Sequence, residues 1–77
     1  MKPEQFLSLM AKLLEMAPGT LNGPEKLRDI EAWDSLAIMG FISLVDQQFS
    51  MIISPQKIAE CKTINDLMSL LGDRIDH

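Results

Sequence analysis

The sequence predicts an all-α fold, a bundle of four helices with three longer and one short, separated by a long first loop. Three observations carry this reading. Apolar residues recur at i, i+3 and i+4 in three separate segments, and residues suited to starting a helix stand at their heads. No segment alternates apolar and polar residues long enough to make a strand of a sheet. The 77 residues amount to one domain spanning 1–77, near the size at which a single core only just offsets the entropy of folding.

Phe6, Leu9, Met10, Leu13 and Leu14 define the first helix, expected from about 3 to 16. Pro3 suits its first turn, where the missing N–H would be unpaired anyway. Pro18-Gly19 is read as the stop. From Ala17 to Asp34 the pattern lapses into turn-forming and charged residues, a connection long enough to need a purpose of its own. Leu21, Leu27, Ile30 and Trp33 are the apolar residues available to pin it, with a helical turn expected within Glu25 to Asp29.

The second and most apolar helix is predicted over 35–49, where Ile38, Phe41, Ile42, Val45 and Phe49 follow helical spacing. Ile52-Ile53 reads as a short extended stretch. Ser54-Pro55 reads as cap and first helical residue of a brief helix over about 54–60. Thr63 and Asp66 resemble a capping box for a last helix over about 63–71, carried by Ile64, Leu67, Met68 and Leu71 and stopped by Gly72.

Composition narrows the function. With 11 acidic and 7 basic residues the net charge is -4, which opposes association with a nucleic-acid backbone. The uncharged runs 35–45 and 47–56 are too short to insert in a membrane. Cys61 is the only cysteine, which leaves neither a disulfide framework nor a thiolate cluster for zinc and fits a reducing compartment. The start Met-Lys-Pro-Glu-Gln lacks the layout of a secretion signal, so the expectation is a soluble, cytoplasmic protein. His77, native or the first residue of a tag, is the only histidine and too isolated for a catalytic dyad. There is no Ser-His-Asp set, glycine-rich phosphate loop or metal motif, so the reading is of a non-catalytic chain.

Trp33-Asp34-Ser35-Leu36 is the informative spot. It puts a serine at the mouth of the most apolar helix, where free N–H groups and the helix dipole favour an anion. The same two residues also serve as ordinary caps, since Asp and Ser are both preferred there. Asp34-Ser35-Leu36 matches the hallmark of the acyl carrier protein family, with Phe49, Ile53 and Thr63-Ile64 at the family's spacing downstream. Over nearly its whole length, to Leu71, the chain resembles that family.

The resemblance implies an acyl-carrier-like bundle in which Ser35 receives a covalent 4'-phosphopantetheine arm from a separate phosphopantetheinyl transferase. The arm's thiol holds acyl groups as thioesters for acyl-loading and acyl-processing enzymes, and the carrier itself is a monomer. By the same resemblance Asp34 helps the transferase engage the serine, and Leu36 flanks the attachment. Met39, Ala37, Gly40 and Ser43 are expected at partner contacts, although helix spacing alone allows Leu36 and Met39 to be core instead. The implied acyl-chain pocket comprises Ile42, Val45, Phe49, Ile58, Cys61, Leu67 and Met68, which the residues themselves identify only as core.

Positions that are acidic in fatty-acid-synthesis carriers hold Ala37, Gly40, Gln47 and Gln48, which weakens electrostatic steering by this helix. The reading is therefore a specialised carrier for a fatty acid, lipid or polyketide pathway. An aminoacyl or peptidyl carrier, or a helical interaction module in which Ser35 is only a cap, remains as an alternative.

Overall fold

The computed structural model describes residues 1–76; His77 lies outside the described residues. Four helices follow in order: α1 (Pro3–Leu13), α2 (Ser35–Phe49), α3 (Pro55–Ala59) and α4 (Ile64–Ser69). Short 3-10 turns occupy Leu27–Asp29 and Gly72–Arg74. Among the described residues there is no strand, only an isolated antiparallel bridge between Lys26 and Thr63. No helix among them is long and apolar enough to cross a membrane.

The core forms where the apolar stripes of the helices meet. Phe6 and Met10 of α1, Phe41 and Val45 of α2, Ile58 of α3, and Ile64 and Leu67 of α4 are all buried. Phe41 is the aromatic hub, edge-on to Phe6 at 6.3 Å and to Trp33 at 6.1 Å, arrangements that set a ring's positive edge against another's negative face.

Helix lengths differ from the sequence expectation at two ends. α1 stops at Leu13, short of residue 16 and well before Pro18-Gly19, because Glu15 takes a left-handed backbone with φ 58°. The Met16 N–H then donates to the Ala11 carbonyl at 2.8 Å and the Glu15 N–H to that of Lys12 at 3.2 Å. This pair of bonds is a Schellman closure, which usually employs glycine where Glu15 stands. α4 stops at Ser69 rather than 71, so it is a short helix of six residues beside the five of α3. Leu70 and Leu71 keep right-handed backbone angles, but the Leu71 N–H bonds to Met68, three residues back, and the winding tightens into the following 3-10 turn. α2 spans 35–49 as expected, and Ser54 and Pro55 begin α3 as cap and first residue.

The long loop is held mainly by its backbone. The Leu27 N–H donates to the Lys62 carbonyl at 2.8 Å, that of Ile64 to Glu25 at 3.1 Å and that of Asn65 to Gly23 at 2.8 Å, lashing 23–27 along the α3–α4 junction. Gly23 has φ 118° and lies so close to Asn65 that a Cβ there would sit 2.9 Å from the Asn65 Cγ, so both backbone and space demand glycine. The Glu25 carboxylate accepts the N–H groups of Asn22 and Gly23, each at 2.7 Å. Leu21 and Leu27 are buried anchors, whereas Ile30 and Trp33 are only half-buried and pack on the edge of the core. Ile30 is thus a weaker anchor than its apolar character suggested.

Candidate functional site

The site is built at the head of α2. Trp33 donates its N–H to the Ile30 carbonyl and Asp34 its N–H to the Ala32 carbonyl, both at 3.0 Å, and these two tight turns deliver the chain to the helix. Asp34 is extended, its Oδ1 accepts the Ala37 N–H at 2.9 Å, and its carbonyl accepts the Ile38 N–H at 3.0 Å. Asp34 is therefore the cap and Ser35 the first helical residue. The Ser35 hydroxyl is exposed and, among the described residues, has no hydrogen-bond partner. The N–H groups of Ser35 and Leu36 likewise find no acceptor there, as is usual in the first turn of a helix.

The two residues of the motif thus do not share the capping role. Capping is done by the neighbour, which leaves a reachable hydroxyl at the positive end of a fifteen-residue helix. A phosphodiester on that oxygen would meet unpaired N–H groups and a favourable dipole. Ser54, another serine at a helix head, is instead committed, its Oγ accepting the Lys57 N–H at 3.3 Å.

The residues around Ser35 separate into two sets. Leu36 is 79% exposed and Met39 is 67% exposed, so both lie on the open surface and not in the core. Ser43, Gln47 and Gln48 are also exposed on α2. Ala37 and Gly40, expected beside them, turn the other way. Ala37 is buried under the cap, and a Cβ on Gly40 would meet Leu13 Cδ1 at 2.8 Å. Gly40 faces the end of the Leu13 side chain, a neighbour from α1 that helical spacing within α2 alone did not reveal.

Val45, Ile58, Leu67 and Met68 are buried in the core, with Ile42, Phe49 and Cys61 half-buried against it. The structure thus brings the seven expected pocket positions to one packed cluster. Cys61 also opens on a surface cleft whose other walls are Lys26, Leu27, Arg28, Lys62 and Thr63. Its Sγ donates weakly to the Lys57 carbonyl at 3.5 Å. Burial pushes the thiol above its ordinary range, with the charges of Asp66 and Glu60 acting in the same direction. The gathering of basic residues at this cleft was not legible in the sequence, because it arises from the backbone bridge between residues 26 and 63.

Fold and site together define a class of protein: a small helical domain that presents one uncommitted serine hydroxyl at a helix head, suited to carrying an anionic group. Residues 4–71 match the family model described as a phosphopantetheine attachment site. The chain belongs to that family, whose members bind covalently attached 4'-phosphopantetheine. No curated protein and no solved structure gives a significant match.

Proposed function

We propose that this chain is an acyl carrier protein in which Ser35 bears the phosphopantetheine arm, serving a specialised fatty acid, lipid or polyketide pathway. The arm supplies a terminal thiol on which acyl intermediates are held as thioesters. The observation that carries the reading is the exposed Ser35 hydroxyl, left free by the Asp34 cap within the Asp34-Ser35-Leu36 motif.

In this reading the chain's residues bind and present; none acts on the cargo. Asp34 fixes the first turn of α2 and so the direction of the Ser35 Oγ, while the unpaired N–H groups of Ser35 and Leu36 favour the phosphate charge. Leu36 and Met39 offer apolar surface beside the attachment for the transferase and for acyl-loading and acyl-processing enzymes. Ser43 and Gln47 extend that face with uncharged groups and Asp46 adds a single carboxylate to it, which points to partners that do not rely on a strongly acidic helix. The cluster of Ile42, Val45, Phe49, Ile58, Cys61, Leu67 and Met68 is the region a sequestered acyl chain would part. We place the protein in the cytoplasm as a monomer, consistent with a single free thiol.

Modification with coenzyme A and a transferase, followed by peptide mapping, should locate the arm on the peptide containing Ser35. Offering the modified protein to an acyl-loading and to an aminoacyl-loading enzyme then distinguishes the cargo classes. Charging by the former alone supports the acyl carrier; charging by the latter alone replaces it with an aminoacyl carrier.

A further inference from the structure

The chain has six methionines, and the fold shields five of them. Met10 and Met68 lie in the core, while Met1, Met16 and Met51 are half-buried and pack against it. Met39 is the exposed one, and it stands on α2 four residues after Ser35 and three after Leu36. Residues at those spacings are neighbours on one helix face, with Cβ atoms roughly 5–6 Å apart. The Met39 thioether therefore sits one turn from the attachment residue, beside the other large apolar side chain of the face.

The rest of that face has little with which to replace a lost apolar contact. Ser43 and Gln47 are uncharged, and Asp46 is the one carboxylate that α2 carries after its cap. A partner docking there gains its affinity from Leu36 and Met39 more than from ion pairing, so making Met39 polar removes a large part of the contact. Oxidation does this to methionine. The sulfur lone pair attacks a peroxide oxygen, the O–O bond breaks and water leaves; sulfur gives up two electrons and becomes a polar, chiral sulfoxide. A methionine sulfoxide reductase reverses the change, its thiols being oxidised to a disulfide as the oxygen departs in water. The cysteine sulfur is a poor competitor for the oxidant. Cys61 is half-buried, its thiol donates to the Lys57 carbonyl at 3.5 Å, and burial with the charges of Asp66 and Glu60 keeps it neutral, whereas the thiolate is the reactive form.

We propose that Met39 is a reversible oxidation site: before the arm is attached, hydrogen peroxide converts it to the sulfoxide ahead of every other sulfur in the chain, and the added oxygen weakens docking of the transferase at Ser35 without altering the fold. The fold survives because the oxygen projects into solvent and displaces no core contact. The effect on docking rests on the carrier reading, whereas the order in which the sulfurs oxidise depends only on their exposure.

The test exposes the unmodified chain to graded hydrogen peroxide and stops the reaction with catalase. Peptide mapping with fragmentation, which separates Met39 from Met51, follows the gain of oxygen at each sulfur, and circular dichroism follows the fold. The treated chain is then given to a phosphopantetheinyl transferase with coenzyme A. The first oxygen should appear on Met39 with the helical signal unchanged. The transfer kcat/KM should fall about tenfold, the lower end of what losing a buried methionine contact costs, through a higher KM for the chain at similar kcat. Methionine sulfoxide reductases should restore it. Met39→Leu, compared with its own untreated rate, should show no change after the same exposure. An oxygen appearing first on another sulfur overturns the proposal, as does a Met39 sulfoxide that transfers at the untreated rate. An equal loss of rate in Met39→Leu, or a loss that tracks the helical signal, places the damage elsewhere and overturns it too. An untreated chain that takes no arm is a separate result: it removes the carrier reading and the effect on docking with it, while the mapping still reads the order of oxidation.

Discussion

The Asp34 carboxylate accepts the Ala37 N–H at 2.9 Å, so the helix that begins with Ser35 is capped by the residue before it. The two residues of the motif therefore have separable roles. Asp34→Ala should cost about 1 kcal/mol, the usual loss on removing a cap, and Asp34→Asn should restore most of it. Ser35→Ala should change stability by less than about 0.5 kcal/mol, as expected at an exposed position with no partner. Urea denaturation of the three variants checks both statements; a Ser35→Ala loss equal to that of Asp34→Ala would show that the hydroxyl is a structural cap after all.

Burial divides the positions at which charge can be added to α2. Ala37→Asp places a carboxylate under the cap and should destabilise the fold by at least about 2 kcal/mol, the scale of burying a poorly compensated polar group. Gln47→Glu and Gln48→Glu lie at exposed positions and should be nearly neutral to stability. The double glutamate variant should be turned over faster by enzymes that read acidic carriers at low salt, with the gain fading as salt rises. Steady-state rates across a salt series measure this; a gain that ignores salt would exclude steering as its cause.

Gly23 is where the first loop meets α4. Its φ of 118° and the proximity of Asn65 mean that Gly23→Ala should lose about 2 to 4 kcal/mol, combining backbone strain with a displaced neighbour. Hydrogen exchange at Leu27, Ile64 and Asn65 should accelerate first, since their N–H groups form the lashing. Uniform acceleration across α1 and α2 instead would mean that the loop is not an independent unit.

Glu25 gives that loop a dependence on pH. Burial acts to raise its pKa, but the hydrogen bonds from Asn22 and Gly23 outweigh it and hold the carboxyl below the ordinary range. A group depressed in the folded state contributes stability above its unfolded pKa, about 4.3 for glutamate, and that contribution is lost as pH falls through the folded value. Glu25→Gln should therefore flatten the fall in stability below about pH 4.3 and lower stability near neutrality. Thermal melts of the two proteins across pH 3 to about 7 cover the window; parallel curves would show that Glu25 has no part in the pH dependence.

Much of this was legible in the sequence because it depends on local rules. The bounds of α2 and the heads of α3 and α4 follow from apolar spacing and from cap residues such as Ser54 and Thr63. Ser35 was legible as a candidate because its motif is contiguous. The early end of α1 was not, since Glu15 takes a left-handed backbone that its residue type does not favour, closed by the local bonds from the Glu15 and Met16 N–H groups. The burial of Ala37, the Leu13–Gly40 approach and the basic cleft were also hidden, because each depends on which face one element turns toward another.

The attachment of the arm at Ser35 is tested most directly by intact-protein mass measurement. Wild-type chain and Ser35→Ala are each incubated with coenzyme A, magnesium and a phosphopantetheinyl transferase, with circular dichroism confirming that both are folded. The expected result is a single phosphopantetheinyl mass gain on the wild type and none on Ser35→Ala at equal helicity. A gain that survives in Ser35→Ala, or a folded wild-type chain that takes no arm from an active transferase, would contradict attachment at Ser35.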